Sequence, residues 1–203
     1  MKIICIGRNY REHARELGNP VPEDPIFFLK PDTAILRRNR PFLYPDFSSD
    51  IHYETEIVIK ISKNGKHIEP AHAHTYYDEI GIGIDFTARD LQQKAREKGL
   101  PWALAKGFDH AAPISSFKAK TNLPDLERLH FHLDLNGKTV QHGFTGDMIF
   151  PVDTLISYLS RFITLRKGDL VFTGTPSGVG PVSKGDMLEA FIEDNKMLKC
   201  EVK

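Results

Sequence analysis

The chain has 203 residues, enough for one domain with a sizeable core. Lys plus Arg and Asp plus Glu both number 27, so no global field draws it to nucleic acid or to a membrane surface. Its hydrophobic content of 40% never gathers into an apolar run of ~20 residues, so no helical membrane span is predicted. The two cysteines, Cys5 and Cys200, lie near opposite ends without a C-x-x-C and read as reduced thiols of a cytoplasmic protein. The opening MKIICIGRNY is too short in apolar residues for a signal peptide and lacks an Arg/Ser-rich transit pattern.

In chain order, the pattern predicts a strand over residues 2–6, a short helix over 10–17 and a strand over 26–29. The polar, Pro-containing stretch 37–50 reads as a surface loop. HYETEIVIKI alternates like a half-buried strand, with Tyr53, Ile57, Ile59 and Ile61 on one face and Glu54 and Glu56 together on the other. Asn64-Gly65 is a hairpin cue. GIGIDFTARD is an apolar strand interrupted by Asp85, which hands over to a helix spanning 88–98. For that helix, Thr87 and Asp90 form a capping box, Gly99 is the stop and Pro101 follows. Asn136-Gly137 between alternating runs is the strongest hairpin signal. A helix at 152–162, a strand at 169–172 and a reversal at Asp194-Asn195 complete the pattern. No repeat or linker divides the chain, which reads as one mainly-β domain (1–203) with a few helices, in the α+β class.

Four groups of residues could carry chemistry. Asp85 is costly to bury unpaired, and convergence with Glu54 and Glu56 on a hard divalent cation, Mg2+ or Mn2+, would relieve that cost. Taken alone, Glu-x-Glu is equally the wet face of a strand. His13-x-x-Glu16 puts a carboxylate beside an imidazole on one helix face, a general base for water. The same spacing is common on exposed helices, and it is not the H-E-x-x-H of zinc peptidases. Lys106, among Trp102, Leu104 and Phe108, reads either as a partly desolvated cation for an anionic partner or as a snorkelling surface lysine. FTGTPSGVGPV offers hydroxyls and glycine-exposed amides as a carboxylate nest, or simply a Gly/Pro turn. It has no Gly-Lys-Ser/Thr and no G-x-G-x-x-G, so no nucleotide site is predicted. His72-x-His74 and His130-x-His132 read as loop and strand surface.

Taken in order, GRNYREHARELG, FFLKPDTA, HYETEIVIKI, GIGIDFTARDLQ, KGLPWALAKGFD, MIFPVDTLISYLS and GDLVFTGTPSGVGPV cover nearly the whole chain and resemble the fumarylacetoacetate hydrolase superfamily. Length and segments are most similar to its short acylpyruvase and oxaloacetate decarboxylase branch, with nothing matching the longer members' extra N-terminal domain. The resemblance implies a mixed β-sandwich roll, assembled as a homodimer, with residues about 8–25 as a lid over the site. It implies Glu54, Glu56 and Asp85 as ligands of Mg2+ or Mn2+, and His13 and Glu16 as a water-activating dyad. Lys106 is then placed beside the oxo-acid end of the substrate, with Arg8, Gln92 and Thr175 as further substrate contacts.

The activity so implied is hydrolysis of a carbon–carbon bond in acylpyruvates to pyruvate and a carboxylic acid. Alternatives within the superfamily are oxaloacetate decarboxylation or tautomerisation and isomerisation of 2-hydroxyhepta-2,4-diene-1,7-dioate; the His13–Glu16 pair favours hydrolysis over pure isomerisation or dehydration, and one site could both hydrolyse and decarboxylate. A non-catalytic domain with a structural cation would leave His13, Lys106 and Thr175 without a role. A zinc hydrolase would need nitrogen or sulfur ligands, which the acidic triad does not offer.

Overall fold

The computed structural model describes residues 1–16, 18 and 20–203. In chain order the principal elements are β1 (Ile3–Gly7), α1 (Arg11–Glu16), β2 (Ile26–Lys30), β3 (Thr55–Ile61), β4 (Tyr77–Ile84), α2 (Arg89–Lys98), α3 (Ala103–Lys106), β5 (His130–Leu135), β6 (Lys138–Phe144), α4 (Val152–Phe162), β7 (Leu170–Phe172), β8 (Met187–Ile192) and β9 (Asn195–Glu201). Leu17, the expected last residue of the first helix, lies outside the described residues.

Apolar strands from both ends of the chain meet in one sheet of order β2-β1-β7-β3-β4, with Lys118–Ala119 at its edge. The β1–β7 pair is parallel, with Ile3 opposite Leu170 and Cys5 opposite Phe172; the other pairs are antiparallel. A second, antiparallel sheet of order β6-β5-β8-β9 packs against β3 and β4. Ile51–Tyr53 pairs with both Gly180–Pro181 and Thr87–Ala88 in a short third sheet that borders the carboxylates. The fold is thus mixed α+β around stacked sheets, as the strand signals indicated.

β3 departs from the half-buried reading. Ile57, Val58 and Ile59 are all fully buried, so both faces are covered. The second sheet packs against β3, and Glu56 is itself buried and receives the Gly174 N–H. Period-two spacing placed the glutamates correctly but took their face for the wet one.

The two Asn-Gly pairs behave differently. Asn136 (φ 52°) and Gly137 (φ 79°) make the tight β5–β6 turn with two left-handed residues, as expected. Asn64-Gly65 makes no hairpin: residues 62–76 form a longer excursion containing the helical turn Pro70–Ala73. Gly65 instead exchanges backbone hydrogen bonds with Leu165, and the Asn64 carboxamide accepts from the Lys167 N–H. A Cβ on Gly65 would lie 2.4 Å from the Tyr76 ring, so this glycine serves close packing.

α2 ends on Gly99 at φ 63°, as read from the sequence. Its expected capping box does not form. The N-cap position is Ala88, the Thr87 hydroxyl is taken up by Lys106, and the Asp90 carboxylate receives Ser48 Oγ and the Ser49 and Leu91 N–H groups. The 37–50 loop has no regular structure beyond an isolated bridge at Phe42, and it is anchored by Phe42, which is buried and stacked on Phe86 with ring centroids 4.1 Å apart.

Candidate metal centre and active site

Glu54 sits in the break between Ile51–Tyr53 and β3, Glu56 on β3, and Asp85 just after β4. β3 and β4 are paired neighbours, and the Asp85 N–H donates to the Glu54 carbonyl at 2.8 Å, which draws the three side chains together. All three are buried, and ligand oxygens from each lie within 4.8 Å of one another. Among the described residues this is the one group of three or more such side chains so placed, and the His-x-His pairs do not join it.

Three cations face these carboxylates. Lys106, on the short α3, donates to Glu54 Oε2 at 2.8 Å, Asp85 Oδ2 at 2.7 Å and Thr87 Oγ1 at 2.5 Å. Arg89, the first residue of α2, donates to Glu54 Oε1 at 2.7 Å and to Gln92 Oε1 at 2.6 Å. Lys30, at the end of β2, places its Nζ 2.6 Å from Asp85 Oδ1. Lys106 is thus fully internal rather than snorkelling, whereas Leu104, grouped with it in the sequence, is 77% exposed.

The electrostatics divide the triad. Burial raises the Glu54 carboxyl, but Lys106 and Arg89 outweigh it and hold that group below the usual carboxylate range. Burial pulls the Lys106 ammonium down, yet Asp85 and Glu54 more than compensate and keep it above its ordinary value. Glu56 has the opposite fate: burial first, then Asp85 and Glu54, push its carboxyl well above the usual range. Its Oε2 accepts only the Gly174 N–H, at 2.7 Å.

These residues fit a hard divalent cation. The donor set is all carboxylate, its oxygens converge, and Glu56 is short of positive charge. Such a set does not suit zinc, which prefers nitrogen and sulfur.

The cleft above the carboxylates is lined by Arg8, His13, Gln92, Lys106, Thr175 and the triad, so every sequence-predicted site residue but Glu16 opens onto it. Glu16 holds His13 from behind, its Oε2 3.1 Å from His13 Nδ1. That leaves Nε2 of a nearly buried imidazole toward the cleft side of the dyad. Glu16 also accepts the Gly178 N–H at 3.0 Å. The TGTPSGVG loop is therefore a carboxylate nest, but the carboxylates it receives are the chain's own, Glu56 at Gly174 and Glu16 at Gly178. Thr175 Oγ1 accepts from Gln141, whose other amide atom receives the Thr55 N–H.

Sequence reasoning missed Lys30, Arg89, Arg96, Gln141 and Asn9. Arg89 had a usable signal, a cation four residues after Asp85 at the start of a helix. Lys30 ends an apolar strand before a proline, and only its environment separates it from an ordinary terminal lysine. Gln141 and Asn9 reach the site from distant segments. Buried Asn9 donates to the Phe150 and Thr173 carbonyls and accepts the Phe150 N–H, fixing the turn on which Arg8 adopts φ 59°.

Fold and site together define a carboxylate-cluster domain with a hydrogen-bonded His–Glu pair at its cleft, and comparison places it. A family model described as fumarylacetoacetate (FAA) hydrolase C-terminal matches residues 2–203, and the chain belongs to that family. It is 41% identical over 201 residues to the Mus musculus oxaloacetate tautomerase FAHD1, mitochondrial, covering 99% of this chain and 91% of the relative. It is 44% identical over 192 residues to the Dictyostelium discoideum oxaloacetate decarboxylase, mitochondrial, covering 94% and 88%. The crystal structure of fumarylpyruvate hydrolase from Pseudomonas aeruginosa in complex with Mn2+ and pyruvate superposes with a TM-score of 0.94 at 38% identity, over 100% of this chain and 89% of that one.

Proposed function

We propose that this protein is a divalent-metal-dependent enzyme that forms the enolate of a small 2-oxo diacid. Oxaloacetate decarboxylation or tautomerisation is the leading activity and hydrolysis of acylpyruvates the second. The observation that carries the reading is the buried, all-carboxylate Glu54, Glu56 and Asp85 set at the floor of a cleft walled by cations. The order of the two activities reverses the one the family resemblance suggested from the sequence. Relatives spanning the whole chain act on oxaloacetate by name, and a dyad moves protons on carbon as readily as on water. The Arg8, Arg89 and Arg96 side chains in the cleft also suit a dianion better than a neutral acyl chain.

Held by Glu54, Glu56 and Asp85, Mg2+ or Mn2+ would supply the charge that draws in the 2-oxo carboxylate and offsets the developing enolate. Lys106, fixed beside the same carboxylates, adds a donor at the oxo-acid end. Glu16 orients the imidazole through Nδ1, so His13 Nε2 exchanges the proton with the substrate. In tautomerisation that proton moves between C3 and the enol oxygen. In decarboxylation, loss of CO2 leaves the electron pair on C3, and His13 returns a proton there. In acylpyruvate hydrolysis, the fumarylpyruvate hydrolase likeness being its specific support, His13 takes a proton from the water that attacks the distal carbonyl.

The test is pyruvate release from oxaloacetate and from acetylpyruvate, with Mg2+ and with EDTA, alongside decay of the oxaloacetate enol absorbance. Metal-dependent turnover of oxaloacetate above the metal's own background is expected. Turnover of acetylpyruvate alone would promote the second reading, and turnover of neither by protein that binds metal would point to diacid isomerisation. Homodimer assembly in the cytoplasm belongs to the same proposal; sedimentation as a monomer at micromolar concentration would contradict the dimer.

A further inference from the structure

Lys30 is the cation at the carboxylates that gathers backbone carbonyls as well as a carboxylate oxygen. Its ammonium is completely buried and donates to the Phe86 carbonyl at 3.2 Å, the Ala111 carbonyl at 3.2 Å and the Lys106 carbonyl. With Asp85 Oδ1 at 2.6 Å, four oxygens surround an ammonium that has three protons. Asp85 Oδ1 is thus held in a charge-assisted contact with Lys30 and keeps a further lone pair for another partner. Lys106 behaves differently, directing its protons onto Glu54, Asp85 and Thr87 side-chain oxygens.

We infer that Lys30 is a positioning residue for the metal centre: it ties Asp85, the Phe86 carbonyl and the Lys106 backbone into one fixed unit while leaving a lone pair of Asp85 Oδ1 to bind a divalent cation. The inference rests on the reading of Glu54, Glu56 and Asp85 as a divalent-metal site. Two stretches distant from Lys30 in sequence, the end of β4 and residues 106–111 following α3, meet at this one ammonium. The Phe86 N–H donates to the Ala111 carbonyl at 2.9 Å, so the staple closes on itself. Residues that orient a metal ligand from behind are worth about 10–100-fold in metal affinity.

Charge alone predicts the opposite sign. A lysine so near a ligand oxygen repels an incoming cation, so a purely electrostatic Lys30 would make its neutral variant bind metal more tightly. A positioning Lys30 makes that variant bind more weakly. The experiment is Mn2+ binding followed by electron paramagnetic resonance on wild type and Lys30→Met, with Lys30→Ala titrated by methylammonium as a rescue.

The expected result is about 10–100-fold weaker Mn2+ binding in Lys30→Met, with partial recovery of Lys30→Ala by methylammonium. Equal or tighter binding by folded Lys30→Met would overturn the inference while leaving the metal site standing. Failure of the wild type to bind Mn2+ would instead remove the metal reading itself. Should both variants fail to fold, the 15N resonance of the wild-type Lys30 ammonium decides. A slowly exchanging signal that shifts on Mg2+ addition is expected, and one unmoved by saturating Mg2+ would overturn the role.

Discussion

Truncation of Asn9 to alanine tests how the outer segments hold the carboxylate site. Asn9 is fully buried and makes three hydrogen bonds across 141 to 164 residues of sequence: to Phe150 N at 2.8 Å, Phe150 O at 3.1 Å and Thr173 O at 2.8 Å. Asn9→Ala leaves one N–H and two carbonyls behind. A buried unpaired group costs about 1–3 kcal/mol, with the carbonyls at the low end because each keeps a second lone pair, so the sum is about 3–5 kcal/mol. For a chain of this length that corresponds to a fall of about 6–20 °C in Tm.

The effect should reach the site as well as the stability. Thr173 precedes Gly174, whose N–H holds Glu56, and a Cβ on Gly174 would meet Asn9 Cβ at 2.7 Å. Thermal melting and Mn2+ titration of the same preparation provide the assay, and both melting temperature and Mn2+ affinity should fall. A variant melting within about 2 °C of wild type, less than a single lost hydrogen bond would produce, would refute the reasoning. A large loss of stability with unchanged Mn2+ affinity would show that the Gly174 loop is held by other contacts.

Other consequences are separable from this one. His13→Ala should reduce turnover by about 10²–10⁴-fold, the usual contribution of a positioned acid–base group, with little change in Mn2+ affinity; parallel loss of both would put His13 at the metal instead. Because burial, Asp85 and Glu54 keep the Glu56 carboxyl protonated further up the pH scale than usual, a cation must displace that proton, and Mn2+ affinity should rise with pH until Glu56 is ionised. The same shift makes the metal-free protein lose stability as pH rises from the unfolded carboxyl pKa through the raised folded one; a metal-free Tm that instead climbs with pH across this window would contradict the assignment. Cys200 is pushed up to about 12 and Cys5 well above its ordinary value, both chiefly by burial, so neither thiol should react with iodoacetamide in native protein near neutral pH, whereas both should in urea; rapid native labelling followed by peptide mapping would show otherwise.

Local sequence determined what depends on neighbours along the chain. Period-two spacing identified the strand at Thr55–Ile61, the 3.6-residue period found Val152–Phe162, and two left-handed residues marked the Asn136-Gly137 turn. The acidic residues, the dyad and Lys106 were each ambiguous alone and became legible through the order of the segments that carry them, which is what the family resemblance rests on. Tertiary structure decided whatever depends on who arrives from elsewhere. It buried the second face of β3, diverted Thr87 from its capping role to Lys106, and turned Gly65 from a hairpin residue into a packing contact. It also brought Lys30, Asn9 and Gln141 to the site across 56 to 164 residues. The physical reason is desolvation: a lysine ending a strand is ordinary when solvated, and becomes a structural charge only when packing removes its water and leaves carbonyls and a carboxylate as its sole partners.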